Sequence, residues 1–154
     1  MPAGDLVTGD YMLELRAVAA GRTTDVHFDD DRGGVTGLFD EPASVVASSY
    51  AHANGAFVGS TRKPERVVFA PMLVLGDTET AVANKVVSLR TAWAPSSTVP
   101  PPTEQLWFQW PGFGKGYFLG HPQGLVVVDF TKALILRRVP VVGEFLITDP
   151  TLRT

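Results

Sequence analysis

The stretch Arg66-Val-Val-Phe-Ala-Pro-Met-Leu-Val-Leu75, continued by Gly76-Asp77-Thr78 and Glu79-Thr-Ala-Val-Ala-Asn-Lys-Val-Val-Ser-Leu-Arg-Thr-Ala-Trp93, decides how this chain folds. The first ten residues are a run of β-branched and apolar side chains, the composition of a largely buried strand. The second part changes period. Val82, Val86, Leu89 and Trp93 recur at i, i+4, i+7 and i+11 and share one stripe, while Asn84, Ser88 and Thr91 take the opposite side. This predicts an amphipathic helix over about 78–94, packed on a sheet. Asp77 or Thr78 can cap its first amides, Glu79 suits the positive end of its dipole, and Ala94 before Pro95 is a stop.

On the N-terminal side of this unit, residues 1–10 are small and polar and are expected to form a flexible arm. Tyr11-Met-Leu-Glu-Leu-Arg-Ala-Val18 alternates, which predicts a half-buried strand with Tyr11, Leu13 and Leu15 inward and Glu14 and Arg16 outward. Gly21-Arg22 is a turn, and 23–28 return as a second strand. Residues 29–64 lose all periodicity. A weakly structured excursion of that length in a compact domain is usually functional or ordered by a partner. Leu38, Phe39, Tyr50 and Phe57 are its apolar anchors, and Asn54-Gly55 is a tight-turn signal, so a protruding hairpin or an arm onto a neighbouring subunit is expected.

On the C-terminal side, Pro95-Ser-Ser-Thr-Val-Pro-Pro-Pro102 reads as an extended loop. Glu104 to Trp110 alternates, with Leu106, Phe108 and Trp110 on one face and Gln105, Trp107 and Gln109 on the other. Strands are then expected over 116–121, over 125–130 after a Pro122-Gln123-Gly124 turn, and over 133–142 and 143–148, with Asp149-Pro150 as the end. The expected architecture is mostly β: an antiparallel β-sandwich or barrel-like domain with one α-helix, a single domain over 1–154 whose body is 11–150.

Composition narrows the function. With 45% hydrophobic and 19% charged residues the chain folds rather than remaining disordered, and the low charge points to surface buried in partners. A net charge of −3 removes the basic balance of a nucleic-acid binder. The absence of cysteine excludes thiolate metal sites and cysteine nucleophiles. No basic leader and no apolar run of membrane-spanning length is present, so neither export by a recognisable signal nor membrane anchoring is expected.

No motif carries catalysis. Asp29-Asp30-Asp31 with Asp40 and Glu41 offers oxygens for a calcium ion, but the spacing is not that of an EF-hand and a solvated acidic loop is the simpler reading. Gly112-Phe-Gly-Lys-Gly116 lacks the Walker spacing and precedes a strand, so it reads as a hairpin connection whose glycines supply positive φ. His27, His52 and His121 are scattered, and no nucleophile elbow accompanies Ser48 or Ser49. No enzyme activity, cofactor or metal is expected. Trp107, Trp110, Phe113, Tyr117 and Phe118 cluster within a dozen residues; strand aromatics are mostly core, but Trp107 shares its face with two glutamines and suits a subunit interface.

The order of Gly37-Leu-Phe-Asp-Glu-Pro42, Asn54-Gly-Ala-Phe-Val-Gly59, the Arg66 strand, the helix ending Leu89-Arg-Thr-Ala-Trp-Ala-Pro95, Gln105-Leu-Trp-Phe108, Gly116-Tyr-Phe-Leu-Gly120 and Glu144-Phe-Leu-Ile-Thr-Asp-Pro150 resembles the distal tail (Dit-like minor tail) proteins of long-tailed bacteriophages, especially those of actinobacterial hosts. The resemblance covers about residues 35–150 and implies the belt domain alone, without the galectin-like second domain many members carry. It implies a structural virion protein, made in the host cytoplasm and incorporated at the tail tip. There it would form a homo-oligomeric ring, usually a hexamer, between the tail tube protein and the tail-tip or baseplate hub protein, near the tape measure protein, with no need to contact nucleic acid. Loop tips and arms would make the contacts, which nominates Phe39, Tyr50, Phe57 and Trp107. The alternatives are a tail tube or connector ring subunit and a carbohydrate-binding β-sandwich module using Trp107.

Overall fold

A computed structural model of the chain describes residues 3–5, 7–10, 12–16, 26–27, 35–38, 44–49, 56–62 and 65–154; for 16, 26–27, 44–49 and 56–62 it describes the backbone alone. The elements are β1 (Met12–Arg16), β2 (Val26–His27), β3 (Ser44–Ser49), β4 (Ala56–Arg62), β5 (Arg66–Leu75), α1 (Glu79–Trp93), β6 (Glu104–Trp110), β7 (Gly114–Val127), α2 (Phe130–Ile135) and β8 (Arg138–Arg153). Six strands pair antiparallel in the order β1-β6-β7-β8-β5-β2, and the sheet curls into a half-barrel. β3 and β4 form a separate two-stranded sheet within the 29–64 excursion, with a register shift between Val46 and Ala47.

The deciding stretch folds as its pattern predicts. β5 spans Arg66–Leu75, and α1 begins after Thr78, whose hydroxyl accepts a hydrogen bond from the Ala81 amide at 3.1 Å. It ends at Ala94, which is extended because the following proline disfavours a helical conformation there. Val82, Val86, Leu89 and Trp93 are all buried, packed with Val68, Ala70, Met72 and Val74 of β5 and Val139, Val141, Phe145 and Ile147 of β8. Leu15, Leu106, Phe108 and Phe118 extend the same core, and the Phe108 and Phe118 rings stack at 5.6 Å. Fully burying one such side chain is worth about 1.5–3 kcal/mol, so this layer dominates stability.

The helix lies close to the sheet because β8 has no side chain at Gly143, beneath the end of the helix. A Cβ on Gly143 would sit 2.8 Å from the Trp93 ring, so the indole occupies the space above a glycine. Gly120 does the same between strands, where a Cβ would meet the Leu146 carbonyl and approach Phe145 to 2.8 Å.

Four expectations need correction. Glu14, expected outward, is fully buried, because its face of β1 is covered rather than solvated. Pro122-Gln123-Gly124 is not a turn: Pro122 pairs with Phe145 and Gly124 with Glu144, so Gln123 is the extra residue of a bulge and β7 runs on to Val127. A bulge and a turn use the same proline and glycine chemistry, and only the partner strand distinguishes them. Residues 130–135, expected to hold the end of one strand and the start of the next, form a helix, with Ala133 its one buried residue; two turns are too short to show a 3.6 period against β-branched neighbours. Finally, Asp149-Pro150 does not end β8, which continues to Arg153, where Arg153 bridges to Asp149 at 2.8 Å.

Candidate functional site

The alternation of β6 divides its side chains between two environments. Leu106 and Phe108 enter the core, while Trp107 stands on the other face opposite Glu14 of β1 and Tyr117 of β7. The Trp107 and Tyr117 rings lie 4.4 Å apart, and the indole Nε1 donates to Gln105 Oε1 at 2.9 Å. The Lys115 ammonium sits 5.9 Å from the Trp107 ring centroid, and the Gln109 amide donates to Asp10 Oδ1 at 3.2 Å. Part of this platform is covered by the chain itself: the backbone of Gly4, with φ +85°, approaches so closely that a Cβ there would fall 2.7 Å from the Trp107 ring. Val7 beside it is buried. Trp107 is thus half-buried in a polar and aromatic surface that the N-terminal segment partly closes.

Of the other expected interface residues, Phe39 and Tyr50 lie outside the described residues. Phe57 lies on β4 opposite Ser48, and its side chain lies outside what is described. Asp29, Asp30 and Asp31 likewise lie outside the described residues. Among those described, no group of three or more His, Asp or Glu side chains is placed to hold a metal ion, and no helix is long and apolar enough to cross a membrane.

The Gly112-Phe113-Gly114 connection is the hairpin turn its glycines suggest. The Phe113 amide donates to the Trp110 carbonyl at 3.1 Å around Pro111 and Gly112, and Gly112 has φ +83°, the conformation of the third residue of a type II turn. Phe113 stands at the tip with more than half its surface exposed. Other exposed apolar side chains gather at the far end of the molecule, where Val87 of α1 and Phe130, Ile135 and Leu136 in and beside α2 face outward. A third group, Phe69 and Val126 with half-buried Pro71, Leu73, Val142 and Leu146, lines the outer face of the sheet. Exposed apolar groups gathered in this way mark interaction surfaces.

Sequence reasoning missed the charges of the core face. Glu104, Gly120, Ile147 and Arg66 form one cross-strand row, and both charged residues are buried. The Arg66 guanidinium donates from Nε to the Gly37 carbonyl at 2.8 Å and from Nη2 to the Leu38 carbonyl at 2.9 Å, and lies 4.9 Å over the Phe118 ring. It fastens the 35–38 segment to β5, alongside the Thr36–Phe69 bridge. The only signal was an arginine at the head of an apolar run, which reads equally well as a solvated strand end.

Burial pushes the Glu104 carboxyl above its ordinary value of 4.5, with His121 pulling the other way. The His121 ring is oriented by the Pro102 carbonyl 2.9 Å from Nδ1, and because a carbonyl only accepts, Nδ1 carries a proton. A carboxyl with a raised pKa binds its proton more tightly folded than unfolded, so its effect on stability is most favourable below about pH 4.5 and is lost as pH rises through the folded pKa. Glu104→Gln is therefore expected to raise the melting temperature at pH 7 and leave it nearly unchanged at pH 4. A variant that melts lower than wild type at pH 7 would show that the ionised carboxylate is needed.

No family model matches this chain, and no curated protein matches it. Among solved structures it matches the crystal structure of SPP1 Dit (gp 19.1), presented as a paradigm of the hub adsorption apparatus in phages that infect Gram-positive bacteria. The TM-score is 0.59 at 17% sequence identity, over 92% of this chain and 51% of that one. The fold is Dit-like. The chain spans about half the length of the SPP1 protein, and at this identity the likeness is one of fold.

Proposed function

We propose that this protein is a structural component of a phage virion that forms a ring at the distal end of the tail, joining the tail tube to the tail-tip or baseplate hub. The observation that carries the reading is the Dit-like fold over 92% of the chain, in the same family the sequence resembles. Two features support it. Apolar groups are exposed at the hairpin tip, around α2 and on the outer sheet face, which suits a chain with several neighbours. The β3–β4 hairpin pairs apart from the main sheet, as an arm toward a neighbouring subunit requires. The partners are further copies of the chain, six in a closed ring, with the tail tube protein on one side and the hub protein on the other.

Light scattering and negative-stain imaging of the purified chain test this. The expected result is a closed ring, and Phe57→Asp is expected to abolish ring assembly while the circular dichroism spectrum is kept. A wild-type chain that stays monomeric at high concentration, alone and with tail tube protein added, overturns the reading. In assembled particles a single ring at the tube tip is expected, whereas rings stacked along the tube would make it the tube subunit instead.

A further inference from the structure

Between α1 and α2 lies an open groove of about 310 Å³, lined by Val86, Val87, Arg90, Leu125, Val127 and Phe130. We infer that this end of the molecule binds a second copy of the chain across a two-fold axis. The Ile135–Leu136 knob of each copy seats in the α1–α2 groove of the other, and Arg90 of each faces Asp129 of the other. The inference goes beyond the ring reading, because a two-fold contact uses one patch per copy and closes at two.

Three observations carry it. The first is that the patch holds both a recess and something to fill it. Ile135 is 67% exposed and Leu136 64%, and Val87 on the groove wall is 59% exposed. A closed apolar cavity of about 150 Å³ accepts a benzene ring, so the groove has room for an aliphatic side chain. Apolar groups gathered this way are covered in the working form of a protein.

The second is placement. Phe130 in the groove wall opens α2 and Ile135 closes it, a separation of about 8 Å along the helix. A knob and a recess at opposite ends of a molecule join copies head to tail. Side by side in one patch, they are brought together by a two-fold rotation, in which each residue meets its counterpart's partner twice.

The third is charge. Arg90 stands in the last turn of α1, and Asp129, beside the groove, occupies the N-cap position of α2 with φ 46° and makes no capping hydrogen bond. Both are exposed, and neither has a side-chain partner in its own chain. Lys132 adds a second cation on α2, while Arg137 is turned to the Asp77 carbonyl at the other end of α1. An unpaired acid and an unpaired base in one patch are what a two-fold contact matches, base to acid at two places, and the one cation in excess is screened by salt. An anionic bilayer would repel Asp129, so the mixed rim favours a second copy.

Sedimentation velocity of the full chain over a concentration series tests this, with every variant checked by circular dichroism. Wild type is expected to show a two-copy species. Arg90→Asp and Asp129→Lys each set like charges against one another at both places and are expected to raise the dissociation constant about tenfold or more. Mixed in equal amounts, the two are expected to regain wild-type pairing, because both bridges re-form with their signs reversed. Asp129→Asn, which suits the left-handed backbone, is expected to weaken pairing by less, and this separates lost charge from strain. Ile135→Glu is expected to abolish the two-copy species. Failure of the mixture to recover, or pairing that survives Ile135→Glu, overturns the inference. So does a wild type that stays single in solution and sediments with phosphatidylglycerol vesicles, which would make a lipid surface the occupant. Rings without any two-copy species overturn the inference and leave the ring reading standing, whereas pairs that never close into rings, alone or with tail tube protein, support it and overturn the ring reading.

Discussion

Trp93→Ala is expected to lower stability by about 3–5 kcal/mol, the range for truncating a large buried aromatic side chain. Trp93 is fully buried at the end of α1, and its ring rests on the bare backbone of Gly143. Gly143, directly beneath the ring, has no side chain with which to fill the vacated space. The cost therefore includes a cavity as well as lost burial. Set against the 5–15 kcal/mol typical of a domain, it leaves a marginal fold. Urea denaturation followed by circular dichroism gives the value, and a loss below about 1 kcal/mol would show that the helix does not dock through this ring. A double-mutant cycle sharpens the test. Gly143→Ala alone puts a methyl 2.8 Å from the indole and is expected to cost about 1–3 kcal/mol, whereas in the Trp93→Ala background it fills part of the void and costs nothing.

Arg66→Met is the second large effect, expected at about 2–4 kcal/mol. Methionine keeps most of the apolar stem and removes the guanidinium, so the Gly37 and Leu38 carbonyls lose charge-assisted hydrogen bonds in a buried setting. The damage is predicted to be local as well as global. The Phe69 amide donates to the Thr36 carbonyl at 3.0 Å, and its hydrogen exchange should accelerate well beyond the change in global stability, because the segment it holds is no longer fastened from the side. Arg66→Lys is not expected to rescue, since an ammonium on a flexible stem cannot hold two carbonyls in the fork geometry. Unchanged exchange at Phe69 would mean that Arg66 does not organise this segment.

The two residues behind these predictions differ in how legible they were. Trp93 was readable because it completes a stripe of four apolar residues at helical spacing, and a helix buries such a stripe wherever the sheet lies. Arg66 was not, because an arginine at the head of a strand looks the same whether it meets solvent or two carbonyls nearly thirty residues away in the chain. Glu14 failed for a related reason. Alternation assigns it to the face opposite Leu15, and only the covering of that face, where Gly4 lies over Trp107, turns an outward position into a buried one. The short helix α2 had no signature at all, since Phe130 read as the end of one strand and Ala133 as the start of the next.

By itself the sequence determined the local alphabet of this protein: β5, the capped helix α1, β6 and the glycine turn beyond it, and with them a mostly β domain with one principal helix. These rest on interactions within a few residues, where side-chain period, capping and φ preference act regardless of what surrounds them. Tertiary structure alone decided the strand order, the bulge that lets β7 run past Gly124, the short helix α2, and the burial of Glu14, Arg66 and Glu104. Each depends on which backbone groups and side chains meet across many intervening residues, and burial and hydrogen-bond satisfaction are properties of that meeting.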